Sequence, residues 1–570
     1  MSRLNGPSRR CGLALALTLA QASAYAGQTP STDSAADLYQ ISLQDLMSME
    51  VTSVSKREQK MSQVAAAIFV INQDDIRRSA ALNIPDLLRM VPGLDVAQIN
   101  ASTWAISARG FNHQFSSKLL VLIDGRTVYT PSQNGVNWDT LDVPLDDIER
   151  IEVIRGPGAT VWGTNAVNGV INVITKSTTE TQGGLVTAGA GTRHPGFGTA
   201  QYGGTVADGV TYRTFVKYFD IDSLPAVGGG DGADARHLLH GGFRMDDAIA
   251  DADSLTLQGD LYSGHEGAII GHIVSIAPPD NEDIARTATL SGGNVLGRWN
   301  HVVSSNFDTT LQIYFDRYVR SGPEMSEACN TFDLDFHQHA RIGSHHEVVW
   351  GVDYRNAADR TVGTIDQAFD PADARLALYS TFIQDEITLR PEQLRLTLGS
   401  KLEHNDFTGF EIEPSVRIAW TPSARETWWA SVSDSARTPA LRDVNADFNI
   451  GAFSLPNGAP VVPTIEGNPR QKSEYLLAEE LGYRVEASDW VSLDVAAFFN
   501  KYRNLRSLEQ GAPRSLTTPV PYTEIPLYHG NKVHGSTEGL EFGAKLRLSD
   551  RWTLSPGYAF LRMNLHTDPD

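Results

Sequence analysis

The sequence predicts a transmembrane antiparallel β-barrel that follows a smaller α+β domain. Three patterns in the chain carry this prediction. Apolar and charged residues alternate along most of the sequence after residue 177, short and long connections alternate between these runs, and tryptophans gather near the short connections. The long connections are expected near Ile221–Arg236, Ser263–Ile284, Ala357–Ala374, Arg437–Lys472 and Asn504–Lys532. Each pattern is typical of strands that face lipid on one side and a polar lumen on the other.

The chain begins with a segment typical of an export signal, over residues 1–26. A positively charged start, an apolar stretch and a small-residue cleavage site follow one another as Arg3, Arg9, Arg10, Gly12–Ala20 and Ala24–Ala26. The apolar stretch is too short to cross a bilayer as a helix. We therefore expect a mature protein outside the cytoplasm that starts near Gly27.

Composition narrows the possible partners. The formal net charge is −21, and loss of the three arginines of the signal would make it about −24. Such acidity argues against nucleic acid as a partner. Cys11 would leave with the signal, so Cys329 is the only cysteine expected in the mature chain and no intrachain disulfide is predicted.

The region ahead of the barrel reads as a mixture of short strands and helices. Strands are predicted from apolar runs at Ala67–Ile71, Leu119–Tyr129, Ile148–Ile154 and Val167–Ile174, and helices after Asp74-Asp75 and from Ile84, ending near Val91–Leu94. A Gly-Pro-Gly turn at 156–158 joins the last two strands, because Pro fixes one φ angle and Gly permits positive ones.

The alternation is clearest in two later segments. In Leu394–Leu402 the leucines share one face and the polar residues the other, and in Phe332–His339 Phe and Leu oppose Asp and His. Apolar side chains on the outside and charged ones on the inside are what a barrel with a polar lumen requires. Six tryptophans near short connections are expected to form the inner aromatic girdle: Trp299, Trp420, Trp428, Trp429, Trp490 and Trp552.

The segment Ile148–Lys176 resembles the end of the plug domain of TonB-dependent outer-membrane receptors. The resemblance extends upstream through an Arg-Gly-Phe strand end and an Asp-Gly turn. Its motif residues are Arg109, Gly110, Asp124, Gly125, Arg155, Gly156, Gly158, Gly163, Asn165 and Gly169. It implies a periplasmic N-terminal segment at 27–56, a plug at 57–177 inside the lumen and a barrel at 178–570.

One feature departs from the family pattern. Division of residues 178–570 gives about seventeen strands, whereas the family has twenty-two and single-chain bacterial barrels usually have an even number. Residues 565–570 resemble the start of an outer loop instead of a closing strand. We expect that the last strands of a family barrel are missing from this sequence.

The resemblance implies active import of a scarce solute across the outer membrane, most often a ferric siderophore; cobalamin, copper and oligosaccharides are alternatives. TonB, driven by the inner-membrane proton gradient, would be the protein partner, and lipid would surround the barrel. Ligand contacts are expected from polar and aromatic residues of the plug loops: Phe111, His113, Gln114, Phe115, Tyr129, Gln133 and Trp138. Phe115 and Trp138 could instead pack against the barrel wall or within the plug.

A TonB box, the segment that pairs with TonB by strand addition, is predicted at Glu50, Val51, Thr52, Ser53 and Val54. The same β-branched stretch could instead be the first strand of the plug. Residues 27–56 are too few for the additional signalling domain of some family members.

Other classes of function fit less well. No cofactor, metal site or enzyme is predicted, since neither a G-x-S-x-G elbow nor an H-E-x-x-H motif is present. His337 and His339 share a strand side with Asp333 and Asp335, but such side chains more often hydrate a lumen or hydrogen-bond the plug than bind a soft metal. A passive porin or adhesion barrel needs no plug, and a soluble β-rich enzyme has no reason to segregate short and long loops.

Overall fold

The computed structural model describes residues 49–207, 209–549 and 551–569. These residues belong to one compact unit. The predicted export signal at 1–26 and most of the predicted periplasmic segment at 27–56 lie outside them. The described residues form two regions, a small α+β domain and a large antiparallel sheet, in the order that the sequence predicts.

The α+β domain contains eleven short strands and three helices among its described residues. The strands are β1 (Glu50–Val51), β2 (Gln59–Lys60), β3 (Ala67–Asn72), β4 (Leu94–Gln98), β5 (Trp104–Ala108), β6 (Leu119–Ile123), β7 (Arg126–Thr127), β8 (Tyr129–Thr130), β9 (Gly135–Val136), β10 (Ile148–Arg155) and β11 (Gly169–Thr175). The helices are α1 (Gln73–Arg78), α2 (Ile84–Leu88) and α3 (Ala159–Trp162).

The four apolar runs of the sequence become the central sheet of this domain. Its order is β3-β10-β11-β6-β7, with β11 parallel to β6 and antiparallel to β10. Apolar side chains cover both faces, because helix α2 and strand β5 pack on one face and the segment from Val51 to Val70 on the other. Burial on both faces explains why these strands read as continuous apolar runs.

The first two helices begin where short polar side chains can cap them. The Asp75 backbone N–H donates to Asn72 Oδ1 at 2.9 Å, and the Asp86 N–H donates to Asn83 Oδ1 at 2.9 Å. The expectation that Asp74-Asp75 cap helix α1 was therefore wrong by two residues, since Asn72 holds the cap position and the aspartates lie in the first turn. Acidic groups there still favour the helix dipole.

The barrel wall is one sheet of 23 strands, and seventeen of them remain when six short strands (β21, β26, β27, β28, β31 and β33) are set aside. The wall strands are β12 (Gly183–Gly189), β13 (Phe197–Ala207), β14 (Val210–Ile221), β15 (Arg236–Ala250), β16 (Asp253–Ile276), β17 (Pro279–Ser304), β18 (Phe307–Ser321), β19 (Met325–Ile342), β20 (His346–Gly363), β22 (Asp373–Arg390), β23 (Leu394–Asn405), β24 (Gly409–Ser423), β25 (Glu426–Arg437), β29 (Glu474–Ser488), β30 (Val491–Gln510), β32 (Tyr522–Ser549) and β34 (Gly557–Thr567).

The short strands and one further helix lie in the connections between wall strands. They are β21 (Gln367–Phe369), α4 (Leu441–Asn445), β26 (Ala446–Asn449), β27 (Phe453–Ser454), β28 (Pro460–Glu466), β31 (Arg514–Leu516) and β33 (Trp552–Leu554). In the described part of the chain, β12 pairs only with β13, and β34 pairs only with β32. The predicted strand number is confirmed for these residues.

Strand β24 shows why the wall belongs in a membrane. Its apolar residues Ile412 and Val416 are 65% and 49% exposed, while Glu411 and Glu413 on the opposite side are 3% and 0% exposed. A water-soluble protein would lose roughly 1.5–3 kcal/mol for each large apolar side chain left in water. The inverted polarity fits a lipid-facing outside and a polar inside.

Two expectations about the wall need correction. A long loop was expected at Ser263–Ile284, but β16 and β17 extend through it as a tight hairpin that turns at 276–279. Trp429 does not join the aromatic girdle: adjacent residues of a strand face opposite sides, so Trp428 is 39% exposed while Trp429 is 2% exposed and packs on Ala67 of the plug.

The α+β domain lies in the lumen, because its side chains contact strands around most of the wall. Wall residues that hydrogen-bond or pair with it come from successive strands: Lys217, Gln258, Arg298, Asp316, Asp335, Glu386, Glu403, Ser415, Thr427, Glu480, Tyr502 and Glu541. We call this domain the plug.

Among the described residues, no helix is both long and apolar enough to cross a membrane.

Candidate ligand site and plug contacts

A cavity of about 460 Å³ lies at the outer end of the lumen, and we call it the outer cavity. The plug supplies its floor, and β16–β19 and helix α4 supply its sides. Four of the seven predicted ligand residues line it: Gln114, Phe115, Gln133 and Trp138. The aromatic and amide character expected of the site is therefore concentrated at one place, although Trp138 is 7% exposed and packs mainly in the plug core.

The loop between β8 and β9 forms the floor, and a barrel loop holds it in position. The backbone N–H groups of Leu441 and Arg442, at the start of α4, donate to the carbonyls of Pro131 and Ser132 at 3.0 and 2.9 Å. The Asn134 side-chain amide donates to the Thr438 carbonyl at 2.7 Å. These bonds tie the loop at 438–442 to the plug apex.

Charged groups line the outer cavity without an excess of positive charge. The guanidinium of Arg320 lies between the carboxylates of Asp139 and Glu266 and hydrogen-bonds both. Burial raises the pKa of Asp139, but the positive charges of Arg320 and Arg236 outweigh it, so the pKa is lowered below its ordinary value. Asp139 therefore stays ionised at neutral pH.

The other three predicted ligand residues do not line the outer cavity. The Phe111 ring packs edge-on against Tyr502 with centroids 4.9 Å apart, so it faces the barrel wall. His113 lies beside the apex, where its Nδ1 accepts from the Phe115 N–H at 3.1 Å. Tyr129 lies deeper, and its hydroxyl has no hydrogen-bond partner among the described residues.

Tyr129 lines a second space, the inner cavity, of about 160 Å³. It lies between the plug and strands β15–β23. Tyr262, Tyr314 and Tyr318 add three further phenol groups to its wall. Asn137 lines both cavities, so the plug loop that bears this residue separates the outer cavity from the inner one.

The opposite side of the plug is fixed by buried ion pairs. Arg109 Nη1 donates to Glu480 Oε1 at 2.6 Å and Arg109 Nε to Glu541 Oε1 at 3.1 Å, with the arginine side chain fully buried. Arg155 lies 3.4 Å from Glu541 and donates to the Pro92 carbonyl at 2.7 Å. Burial lowers the pKa of Arg109, but the two carboxylates raise it above its ordinary value.

A second ionic group joins the plug to the loop that bears α4. Lys118 pairs with Glu474, which also accepts from Arg437 Nη1 at 3.0 Å. Arg437 and Arg506 both pair with Asp443, the latter at 2.8 Å. Burial raises the pKa of Asp443, but Arg437, His529 and Arg506 hold it well below its usual range. These contacts explain why the plug cation Lys118 can be buried.

Glycines of the plug motif allow this close approach. Gly156 has φ of 110°, and a Cβ there would lie 2.5 Å from Glu480 Oε1 and 2.7 Å from Arg109 Nη1. Gly163 has φ of 86°, and its Cβ would meet Glu403 Oε2 at 2.5 Å. A side chain at either position would strain the backbone and displace the charged groups that lie against it.

The Asp-Gly pair of the motif makes a tight turn between β6 and β7. Asp124 and Gly125 have φ of 50° and 79°, the combination that a type I′ turn requires. The Asp124 carboxylate accepts from the Thr175 N–H at 2.9 Å and from the Gln258 side chain at 2.9 Å. Asp124 therefore connects the turn to β11 and to the barrel wall.

The segment predicted as a TonB box is packed against the plug sheet. Glu152 accepts hydrogen bonds from the N–H groups of Thr52 and Ser53 at 3.0 and 2.8 Å and from the Ser53 hydroxyl at 2.6 Å. Trp162 Nε1 donates to the Ser53 carbonyl at 2.6 Å. Glu50 and Val51 form β1, which pairs with β2. Both interpretations of this stretch are compatible with the arrangement.

The histidines considered as metal ligands are hydrogen-bonded to protein carboxylates. His337 Nδ1 lies 2.9 Å from Asp335, which also pairs with Lys56 of the plug, and His339 lies 2.8 Å from Asp308 and 2.6 Å from Glu347. Over residues 49–569, apart from 208 and 550, no group of three or more His, Cys, Asp or Glu side chains is arranged so that it could hold a metal ion.

Sequence reasoning missed the wall partners of the plug and the cavity charges. Glu474, Glu480 and Glu541 are three of many acidic residues on alternating strands, and only the folded chain brings them to Arg109 and Lys118. Arg442 was overlooked because it lies in a long loop that has no repeating pattern.

Comparison with known proteins gives a consistent result. The family model for the TonB-dependent receptor plug domain matches residues 60–170, and that for the TonB-dependent receptor-like β-barrel matches residues 172–570. An iron-regulated outer membrane virulence protein of Vibrio cholerae is 26% identical over 98% of this chain and 82% of its own length. A ferric enterobactin receptor of Pseudomonas aeruginosa is 23% identical over 91% of this chain and 79% of its own length.

A solved structure of the siderophore receptor PirA from Pseudomonas aeruginosa has the same fold, with a TM-score of 0.68 and 18% identity over 88% of this chain and 86% of that one. A ferric enterobactin receptor mutant from the same organism, solved with enterobactin, gives a TM-score of 0.70 and 17% identity over 88% of this chain and 81% of that one.

Proposed function

Because the chain belongs to the family of TonB-dependent receptors, we propose that it imports a ferric siderophore across the outer membrane with energy supplied through TonB. The observation that carries this proposal is the outer cavity, which plug loops and outer barrel segments build together above a plug that fills the lumen. Relatives named as siderophore and ferric enterobactin receptors support the choice of cargo. Residues 1–26 would direct export.

Ligand binding would start at the outer cavity. Gln114, Phe115 and Gln133 supply amide and aromatic surfaces on the plug, and Arg442 supplies a guanidinium from the barrel loop, with its Nη1 3.3 Å from Gln133 Oε1. A ligand held there touches the plug and the barrel at once. Polar groups on a shaped, partly apolar surface are typical of small-molecule sites. His113, Phe111 and Tyr129 would act next to this site or below it.

The segment Glu50–Val54 would serve as the TonB box. TonB would add to it as a strand, which requires free main-chain N–H and C=O groups. In the resting receptor the N–H groups of Thr52 and Ser53 are engaged by Glu152. The inner-membrane complex that uses the proton gradient would then pull the plug through this segment, which must first leave Glu152.

Uptake of radioactive iron tests the proposal. Cells that lack their own siderophore receptors and express the full chain should take up ferric siderophore, and uptake should stop when TonB is deleted or the proton gradient is collapsed. Flux that persists without the gradient would favour a passive porin. Parallel assays with cobalamin, copper and a maltooligosaccharide cover the other cargoes that the family imports.

A pair of variants tests the TonB box. Val51→Pro removes a main-chain donor from the segment and should abolish uptake while surface binding of ferric siderophore continues. Val51→Ile keeps the backbone and is the matched control. Equal uptake by both variants would place the TonB box elsewhere in the chain.

A further inference from the structure

We propose that the cargo is a ferric siderophore complex without net negative charge, of the neutral or cationic trihydroxamate class; this rests on the proposed function. Three catecholates lose six protons in binding Fe³⁺ and leave a trianion, whereas three hydroxamates lose three and leave no charge on the metal centre. Burial of a trianion requires surplus cationic groups along its route. The charges of the two cavities therefore select between these complexes.

The outer cavity has no such surplus. Its lining includes three guanidiniums and four carboxylates: Arg286, Arg320, Arg442, Asp139, Glu266, Glu324 and Glu327. The positive charge of Arg320 is already shared by Asp139 and Glu266. Arg236, which donates to the Asp139 carbonyl, brings this cluster to a formal net charge of zero, and both terminal nitrogens of Arg320 are engaged by carboxylates.

The two remaining arginines are balanced by the two remaining carboxylates. Arg442 lies over the Phe448 ring at 5.4 Å and beside Gln133, while Arg286 lies at the exposed outer hairpin of β16 and β17. Glu324 and Glu327 lie on the same cavity wall. The hairpin adds exposed Asp280, Glu282 and Asp283 near Arg286, so an approaching anion meets negative charge at this part of the mouth.

The inner cavity, which lies deeper along the proposed route of the cargo, likewise has no surplus of cationic groups. Its guanidiniums are already paired, Arg126 with Asp316 at 2.6 Å and Arg355 with Asp333 at 2.8 Å. His240 lies 3.3 Å from Asp260. Asp142 and Asp406 also line the space, and the former pairs with Lys217 at 2.7 Å.

Neutral hydrogen-bonding groups make up much of the remaining outer surface. Hydroxyls and amides that line the outer cavity are Asn100, Ser102, Thr103, Gln114, Gln133 and Gln367. Phe115 and Phe448 add aromatic faces. Such groups recognise the amide and hydroxamate oxygens of a neutral complex, and the carboxylates favour a pendant ammonium group.

Equilibrium binding and iron uptake with three defined complexes test the inference. Cells with the full chain are given ferrioxamine B (cationic), ferrichrome (neutral) or ferric enterobactin (trianionic), each with and without TonB. We expect the first two complexes to bind at least about tenfold more tightly than the trianion. This factor corresponds to a difference of about 1.4 kcal/mol in binding free energy. Tighter binding and TonB-dependent uptake of the trianion would overturn the inference and leave the proposed function intact. No TonB-dependent uptake of any complex would overturn both.

Charge variants at Glu324 link the preference to the cavity. Glu324→Lys should shift the binding ratio toward the trianion by about tenfold or more, and Glu324→Gln should shift it by less, because Coulomb energy scales with the charge change. Glu324→Asp keeps the charge and is the matched control. Yield of assembled receptor in outer membranes checks folding. An unchanged ratio in Glu324→Lys would show that the cavity does not set the preference.

Discussion

The two sides of the plug are held in different ways. Toward β29–β32, fully buried arginines pair with Glu480 and Glu541, and glycines let the backbones approach closely. Toward β15–β20, the plug also bonds to the wall, as Arg126 does to Asp316, but the inner cavity opens beside these contacts, and the hydroxyls of Tyr129 and Tyr314 lack partners in the described residues. The difference predicts firmer anchoring of the plug along the first side than along the second, and we call these the anchored side and the loose side.

The largest expected effect comes from the anchored side. Arg109→Leu leaves Glu480 buried without a counter-charge and Glu541 with Arg155 alone, which should destabilise the seated plug by about 3–5 kcal/mol. The readout is the urea concentration at which ion conductance appears for the purified receptor in planar bilayers. Arg109→Leu should lower it.

The matched control for this variant lies on the cavity side. Arg126→Leu removes one partly screened pair with Asp316, whose side chain is 24% exposed, and should cost roughly 1–2 kcal/mol. Equal urea midpoints for Arg109→Leu and Arg126→Leu would contradict the distinction between an anchored side and a loose side.

A variant at Glu152 tests whether residues 50–56 are held as firmly as the anchored side of the plug. Glu152→Gln keeps the shape but weakens the hydrogen bonds to Thr52 and Ser53, with an expected cost of about 1–2 kcal/mol. Protease cleavage within residues 50–56 should become faster without ligand. Glu149→Gln, on the same strand, is the control because Glu149 pairs only with its neighbour Arg150 in the described contacts. Unchanged cleavage in Glu152→Gln would show that this carboxylate does not hold the segment.

A smaller effect on stability is expected when the pH is lowered, because His113 at the plug apex can then take up a proton. Desolvation, together with Arg506 and Lys118, lowers the pKa of His113 to about 4. Because an unfolded histidine has a pKa of about 6.5, the unfolded chain binds this proton more readily. The contribution of His113 to stability is therefore constant above pH about 6.5 and falls as pH drops toward 4.

NMR titration of histidine-labelled receptor in micelles measures this pKa, and the spectrum of His113→Gln assigns the signal. A midpoint above pH 6 would contradict the electrostatic description of the apex, because it would mean that the nearby cations do not act on the ring.

The smallest effect should come from the cavity side. Tyr314→Phe removes a buried hydroxyl that has no partner in the described residues, so the free energy of unfolding should change by less than about 0.5 kcal/mol. Urea midpoints of the variant and the parent should coincide. A loss of more than about 1 kcal/mol would mean that a bound water or a plug group pairs with this hydroxyl.

Periodic and local features could be predicted from the sequence. The plug strands at 67–72 and 148–155 coincide with apolar runs, because both faces of these strands are buried in the core. The short turns of the wall lie where the alternation of apolar and polar residues breaks. The outer hairpin of β16 and β17 was missed because glycines, prolines and acidic residues interrupt the alternation there, although Ile273 and Ile276 are buried on one side. Gln114, Phe115, Gln133 and Trp138 were placed at the cavity by their loops alone.

Contacts across the lumen could not be predicted. Arg109 and Glu541 are 432 residues apart, and nothing local in a single sequence distinguishes Glu541 from other inward-facing acids. Phe111 was predicted to contact the ligand because of its residue type, whereas its ring packs against Tyr502. Partner choice depends on the register of distant strands, which the alternation of one strand does not encode.

The main-chain bonds from Leu441 and Arg442 to the β8–β9 loop have a mechanical consequence. A pull that lowers the plug must either break these two bonds or draw the barrel loop down with it. In the second case the barrel loop narrows the outer opening behind the solute as the plug moves down. Inward movement of the plug and closure of the barrel to the exterior would then occur together.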